Sequence, residues 1–562
     1  MKLLGRAMDK RFWQTVREED CYARYRRELH EMWDKNCTGE IPALRYSDFK
    51  RFETEGGRDE YETPYFARRH ALDASALLSL IYPDCPEYLD RLMDEIFAIC
   101  DEYTWCVPAH HGPVGVENPY RIDLFAAETG FALAEIYTML EDRLEPLIKQ
   151  RVKSEIDRRI IEPFSRTEPY GFWERGTNNW TAVCVGSVAS TVMLMRPELT
   201  ESLKPRFDRA MECYLSGFEE DGVCTEGCGY WHYGFGFFVV YADMIRTFTE
   251  GKTDYFKREK VKTIATFLQK MFLSGRASVS FADGHPTLSY HLGLLHYLKG
   301  EYPNDVRVYS KDYSYNYDHC GRFCLQLRSA IWYDPAWDTD AEPQNDPPSV
   351  YYAPRSEWYV KKTAAYSLAA KGGHNEEPHN HNDVGAFIFA KDGKQCLADP
   401  GPAHYCKAYF RGETRYDFFH ASSRGHSLPI VDGQYQKTGK NYRAHGATVS
   451  EDGFSLDMAG AYGLDTLTSL VRSFACTEEA VTLTDTFVYT GEGTLTERLV
   501  FGSLPCLTQA GRLEAEGVTV TYDPALVAEA VITEETFDHK PTVYTADLTL
   551  KKGVREIVMI IE

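Results

Sequence analysis

Hydrophobic periodicity predicts an α + β multidomain chain: an N-terminal α/α toroid, an incomplete helical barrel, followed by a C-terminal antiparallel β-sandwich. Three observations lead there. Up to about residue 300 the apolar residues recur at helical spacing; beyond about residue 345 they alternate with period two; and an Asp- and Pro-rich stretch, 333–349, separates the two patterns. At 562 residues the chain exceeds one ordinary core, so two domains are expected, 1–344 and 345–562.

The helical half is justified element by element. Leu89, Leu92, Met93, Ile96, Phe97, Ile99 and Cys100 form an i, i+3, i+4, i+7 stripe, and Leu144, Ile148, Val152, Ile156 and Ile160 form another. Residues 180–195 are apolar nearly all round, which predicts a fully buried inner helix. Further helical runs lie at 69–82, 122–140, 205–218, 233–248 and 254–272, separated by loops rich in Gly, Asn and Pro. Buried inner helices alternating with amphipathic outer ones make a toroid. In the second half, 387–389, 447–450, 454–458, 480–489, 494–500, 518–522, 543–550 and 556–561 read as short strands divided by Asp-Gly, Glu-Gly and Lys-Gly turns. Many short antiparallel strands predict a sandwich.

Composition narrows the partners. A net charge of -22 argues against nucleic acid and anionic membranes, although an acidic sugar needs only a local basic cleft. Aromatic residues make up 14% of the chain, a content that suits either a sugar-lining cleft or a large aromatic core. No apolar run is long enough to span a bilayer. The N-terminus has no secretory h-region, so a cytoplasmic address is expected, or a periplasmic or secreted one if a signal is removed. The 15 cysteines then read as reduced thiols, and the Cys224/Cys228 and Cys320/Cys324 spacings do not suit a zinc knuckle. Oligomeric state is left open.

The densest chemistry lies in His379-Asn380-His381-Asn382-Asp383, Asp399-Pro400-Gly401 and Ser422-Ser423-Arg424-Gly425-His426. His381, Asp399 and His426 supply two nitrogens and one oxygen, a donor set suited to zinc with one position left for water or another ligand. If 379–381 is a strand, His379 and His381 project from the same face. In the helical half, Asn178 suits a helix N-cap ahead of Asn179-Trp180, and Gly234 after Tyr230-Trp231-His232-Tyr233 allows close approach of a ligand. Arg175, Arg411, Arg415 and Arg424 could engage an anionic chain, or form ordinary surface ion pairs. Trp105 and His110-His111 lie in a loop that could reach the mouth of the toroid.

These motifs, with Arg415-Tyr416 and the segments 178–180 and 230–234, resemble the heparinase II/III-like polysaccharide lyases over most of the chain. The resemblance implies a toroid carrying catalytic residues and a sandwich carrying the metal site. It implies Asn179 as the group neutralising a uronate carboxylate, Tyr233 as the catalytic tyrosine and His379 as the histidine facing it. His381, Asp399 and His426 would hold Zn2+ in a structural role, with another divalent metal left open. Tyr230 stays as an alternative catalytic tyrosine, and Tyr409 and Tyr416 as candidates for a second one. Some members carry a histidine where Trp180 stands, which leaves the preferred uronate epimer open.

The implied reaction is β-elimination on an anionic uronate-containing poly- or oligosaccharide. A base removes the C5 proton, an amide stabilises the developing charge, and an acid protonates the departing O4. Two alternatives are a toroid-type hydrolase of uronosides, for which Asp221, Glu226 and Asp283 are candidate carboxylates, and a non-catalytic glycan-binding protein.

Overall fold

The computed structural model describes residues 3–112, 119–289, 291–309, 314–315, 318–339 and 346–562. The expected domain boundary at 344/345 and part of the 333–349 stretch lie outside the described residues. The chain forms two compact units. One comprises Met1–Gly217, His232–Lys262 and Tyr290–Thr339; the other comprises Phe218–Trp231, Thr263–Ser289 and Asp340–Glu562. Two segments of the helical half, 218–231 and 263–289, therefore pack with the strands.

In the first unit, Asp59–Ile81, Leu124–Leu140, Asn179–Met195, Gly236–Phe248 and Phe323–Ile331 are inner helices, buried over much of their surface. Pro86–Cys100, Pro146–Ile156 and Thr200–Ser216 bury one stripe each and pack against Asp59–Ile81, Leu124–Leu140 and Asn179–Met195 respectively. This alternation is the toroid that the periodicity predicts. Proline opens two of the outer helices, where its fixed φ fits and its missing N–H leaves no gap. Asn178 caps the inner helix as expected, accepting from Trp180 N at 3.2 Å. No single helix is long and apolar enough to cross a membrane among the described residues.

The run 254–272 is not one helix. It breaks into a 3-10 turn Tyr255–Lys257 and helices Glu259–Ala265 and Phe267–Met271, then enters a strand, Phe272–Ser274, that pairs with Ala277–Ser278. The strand belongs to the second unit, where Ser367 Oγ donates to the Leu273 carbonyl at 2.7 Å. Tertiary pairing overrides the local helical pattern.

The second unit is an antiparallel sandwich. One sheet has Leu467–Cys476, Val481–Tyr489 and Glu556–Ile561 near its middle; the other has Lys540–Leu550, Leu495–Phe501, Lys394–Leu397 and Phe387–Lys391. Phe387, Phe389, Leu499 and Phe501 from one sheet meet Phe474, Leu483, Ile557 and Met559 from the other in a continuous core. The predicted strands are present, and several more form that the sequence reading left out, among them Trp358–Lys362, Ser367–Lys371 and Val527–Phe537. Trp358–Lys362 and Ser367–Lys371 are buried along their length, so they lack the alternation that marks a half-exposed strand.

A buried arginine fixes the loops of the site to this sandwich. Arg472 pairs with Asp485 at 2.6 Å and donates to the carbonyls of Gly385 at 2.9 Å and Ser427 at 2.6 Å. Those carbonyls end the two loops that carry His381 and His426.

Candidate functional site

The second unit gathers its chemistry around one carboxylate. Asp283 is buried, and its Oδ2 accepts from His379 Nδ1 at 2.6 Å and from the Tyr405 hydroxyl at 3.2 Å. Its Oδ1 accepts from the Tyr409 hydroxyl at 2.6 Å, Arg415 Nη2 at 3.0 Å and His381 Nε2 at 3.1 Å. Burial alone raises a carboxyl pKa, but the hydrogen bonds from His379 and His381 and the charge of Arg415 outweigh it and hold Asp283 well below the carboxylate range.

The backbone explains how the loop is held. Ala282 has φ +59°, a left-handed conformation in a residue that carries a Cβ. Gly284, two residues on, is clamped from two sides. A Cβ on Gly227 would lie 3.0 Å from its backbone, and one on Gly401 would lie 2.5 Å from its carbonyl oxygen. The glycines of Glu226-Gly227 and Asp399-Pro400-Gly401 thus serve close backbone approach. Ser280 Oγ adds a bond to the Asp399 carbonyl at 3.2 Å.

His379 is not in a strand. It sits in a loop with φ +57°, and this is a correction to the expectation that the pleat aligns it with His381. Asn380 and His379 instead turn about Arg415, whose Nε donates to the Asn380 carbonyl at 3.0 Å and whose Nη2 donates to the His379 carbonyl at 2.9 Å. Both histidines still reach Asp283. Because Nδ1–H is directed at Asp283, the accepting position of neutral His379 is Nε2, and that atom lies 3.7 Å from Glu226 Oε2. The His379 side chain keeps 18% of its surface exposed, whereas that of Asp283 has none.

Tyr230 lies flat on His379, with ring centroids 4.2 Å apart. Its hydroxyl is 3.0 Å from the Tyr405 hydroxyl. Tyr405 donates its own hydrogen to Asp283, so Tyr230 is the donor of that pair. A phenol–phenol–carboxylate chain results. Burial pushes the Tyr230 pKa well up, so the phenol holds its proton.

His381, Asp399 and His426 converge as a buried triad whose ligand atoms all lie within 4.8 Å of one another. His381 Nδ1, Asp399 Oδ2 and His426 Nδ1 have no hydrogen-bond partner. The far side of each group is held: His381 Nε2 by Asp283, His426 Nε2 by the His420 carbonyl at 3.0 Å, and Asp399 Oδ1 by Gly401 N at 2.9 Å. With both Nε2–H groups donated outward, the two Nδ1 lone pairs face the Asp399 oxygen, which lies 3.1 Å from His426 Nδ1 without hydrogen-bond geometry. That arrangement is repulsive until a cation enters it, so the residues fit a divalent metal, with oriented outer partners of the usual kind. Without an ion the alternative is a proton on His426 Nδ1; burial opposes it, and Asp399 outweighs burial and raises that pKa.

Two of the other candidates, Tyr409 and Arg415, lie on the same carboxylate. Tyr409 is buried on Asp283, and Tyr416 packs with it in a small apolar cluster. Arg415 is buried, stacks 4.3 Å from the Tyr409 ring and directs its donors inward. In the first unit, Asn179 is buried at the start of its helix, and Arg175 is exposed. A Cβ on Gly234 would meet Asn179 at 3.0 Å, so the close approach made by this glycine is to Asn179. Tyr233 is also buried; its hydroxyl donates to Glu128 at 2.5 Å, and the Arg322 guanidinium lies 3.7 Å above its ring. Arg322 in turn binds Glu128 at 2.6 Å and Asp318 at 2.7 Å. Burial drives the Tyr233 pKa well up, against the opposing charge of Arg322.

Sequence reasoning missed Tyr405 and gave Asp283 only a hydrolytic part. The signal for Asp283 was the Ala282-Asp283-Gly284 turn inside an apolar segment. Nothing local marks Tyr405.

The sequence matches no family model and no curated protein. The structure is similar to heparinase III, with TM-score 0.61, 12% identity and coverage of 100% of this chain and 92% of that one. It is similar to a mutant of the heparan sulfate lyase HepC from Pedobacter heparinus, with TM-score 0.59, 12% identity and coverage of 95% and 82%. It is similar to a chondroitin AC lyase mutant from Streptomyces coelicolor A3, with TM-score 0.53, 12% identity and coverage of 99% and 82%. The chain therefore has the toroid-plus-sandwich fold of these lyases, as the resemblance in its motifs implies.

Proposed function

We propose that this protein is a polysaccharide lyase that cleaves uronate-containing glycans of the glycosaminoglycan class by β-elimination, leaving a 4,5-unsaturated uronate at the new end. The observation that carries the reading is the stacked Tyr230–His379 pair, with the tautomer of His379 set by Asp283. Support comes from the fold, which solved structures of heparan sulfate and chondroitin lyases share.

His379 Nε2 takes the C5 proton. Tyr230 gives its hydroxyl proton to O4 as the C4–O bond breaks, and it is reprotonated along Tyr405. Two rings stacked 4.2 Å apart address a sugar from the same side, which favours syn elimination. In a gluco-configured uronate the C5 hydrogen and O4 lie on one face; in the ido epimer they lie on opposite faces. Glucuronate is therefore the preferred sugar. The resemblance implies Asn179 as the carboxylate-neutralising group, and Asn179→Ala tests that implication, with a loss of about 10²-fold or more in kcat expected. His381, Asp399 and His426 hold zinc or a similar divalent ion, which braces the loop bearing His379.

Hydrolysis is less well supported. Asp221 accepts from Arg355 N at 3.0 Å and Ser356 N at 3.1 Å, and Asp283 accepts from five donors, so neither is placed as a free acid or base. The deciding experiment incubates metal-loaded protein with heparan sulfate, chondroitin, hyaluronan and alginate, following ultraviolet absorbance and product mass. Unsaturated products without added water are expected, formed faster at glucuronate than at iduronate. No new absorbance on any of these glycans would refute the lyase reading.

A further inference from the structure

We propose that Asp283 is the positioning residue of the site and couples the metal centre to the Tyr230–His379 pair through one planar carboxylate. The inference rests on the reading of that pair as the reacting groups and goes beyond it.

The geometry divides the work between two oxygens. Oδ1 serves the metal side: it accepts from His381, and from Tyr409 and Arg415, which brace the same loop. Oδ2 serves the reacting side: it accepts from His379 and, through Tyr405, sets the direction of the Tyr230 hydroxyl. The two oxygens share one plane, so a turn about Cβ–Cγ disturbs both sides together. Five donors exceed the roughly four lone-pair positions of a carboxylate, so the group has little freedom to turn. The backbone of the following residue, Gly284, is clamped between Gly227 and Gly401, the latter two residues from the metal ligand Asp399. Loss of the ion would release His381 from its Nδ1 side and loosen one of the five donors that hold the Asp283 carboxylate. The carboxylate gains freedom to turn, which weakens the bond fixing His379 Nδ1–H and with it the exposed Nε2 acceptor. The metal thereby acts on the chemistry without touching the sugar.

The test uses the full chain, selectively 15N-labelled at histidine, with His379 assigned by His379→Gln. In the wild type, chelating zinc should shift the ring nitrogen signals of His379. Asp283→Asn should weaken zinc binding by about 10–100-fold in competition with a chromogenic chelator and move the His379 ring proton off Nδ1. Tyr405→Phe should lower kcat while leaving KM and zinc affinity unchanged. The proposal is overturned if His379 signals ignore zinc removal, if Asp283→Asn retains wild-type zinc affinity and tautomer, or if Tyr405→Phe turns over normally. Should Asp283→Asn fail to fold, the wild-type chelation experiment still decides. Zinc affinity and ring signals need no turnover, so a protein inactive on every glycan would sink the lyase reading and leave this one standing or falling by itself.

Discussion

Two tyrosines three residues apart stand in contrasting surroundings. Tyr233, in the helical unit, gives its hydrogen to a carboxylate that Arg322 already neutralises, and the same guanidinium covers its ring. Tyr230, in the sandwich unit, stacks on a histidine that is partly open to solvent and hands its hydrogen to a second phenol. Both are buried enough to keep their protons at neutral pH. Of the two, Tyr230 is the one linked through a second phenol to Asp283. A π-turn, Trp231–Phe235, begins directly after Tyr230 and contains Tyr233, a kind of irregularity frequent at functional sites. The resemblance implies Tyr233 and keeps Tyr230 as the alternative; the proposed reaction takes Tyr230 because of what its oxygen is bonded to.

The largest effect that would break the contrast belongs to Tyr230→Phe and His379→Ala. Each should lower lyase turnover by roughly 10²–10⁴-fold, read as unsaturated product per minute. Full activity in Tyr230→Phe would return the role to Tyr233. Next in size is the metal centre. His426→Ala should lose bound zinc by atomic emission and lower Tm by roughly 5–10 °C, equivalent to about 3 kcal/mol, because Asp399 is left buried beside His381 without a cation. An unchanged Tm on both mutation and chelation would remove the metal from the fold.

The helical unit should respond to pH instead. Glu95, buried 2.6 Å from Arg91, has its pKa pushed up by burial from 4.5 to about 7. A raised pKa means that its favourable contribution is complete below 4.5 and is lost as pH climbs through 7. Glu95→Gln should flatten that part of the urea-unfolding profile, by at most about 3 kcal/mol between the two ends. A profile identical to wild type would contradict the desolvation. The smallest expected effect is the most discriminating: Tyr233→Phe should keep kcat within about tenfold and cost about 1 kcal/mol of stability, one hydrogen bond's worth. A thousandfold loss would reverse the comparison.

Much of the architecture was legible because each half keeps one period. The inner helix 179–195 shows itself by being apolar on every side, and Val518–Tyr522 and Glu556–Ile561 by strict alternation. The His381–Asp399–His426 cluster was legible because each of its three motifs carries a glycine or a histidine in a distinctive run. The site's centre was not. Asp283 lies about a hundred residues before the histidines it orients, and its neighbourhood reads as the end of a helix until pairing with the sheet is known. Tyr405 has no local mark because its role comes from two partners distant in sequence, Tyr230 and Asp283. Arg415 looked like a ligand for an anion; its buried position makes it a brace for the backbone of 379 and 380.

The interleaving of the chain has a practical side. The sandwich unit borrows 218–231 and 263–289 from within the helical half. Anyone excising residues 345–562 as a stand-alone module would leave behind Tyr230, Glu226 and Asp283. Such a fragment would lack the carboxylate that orients His379 and His381, and during synthesis the ribosome must deliver both halves before the centre around Asp283 can be built at all.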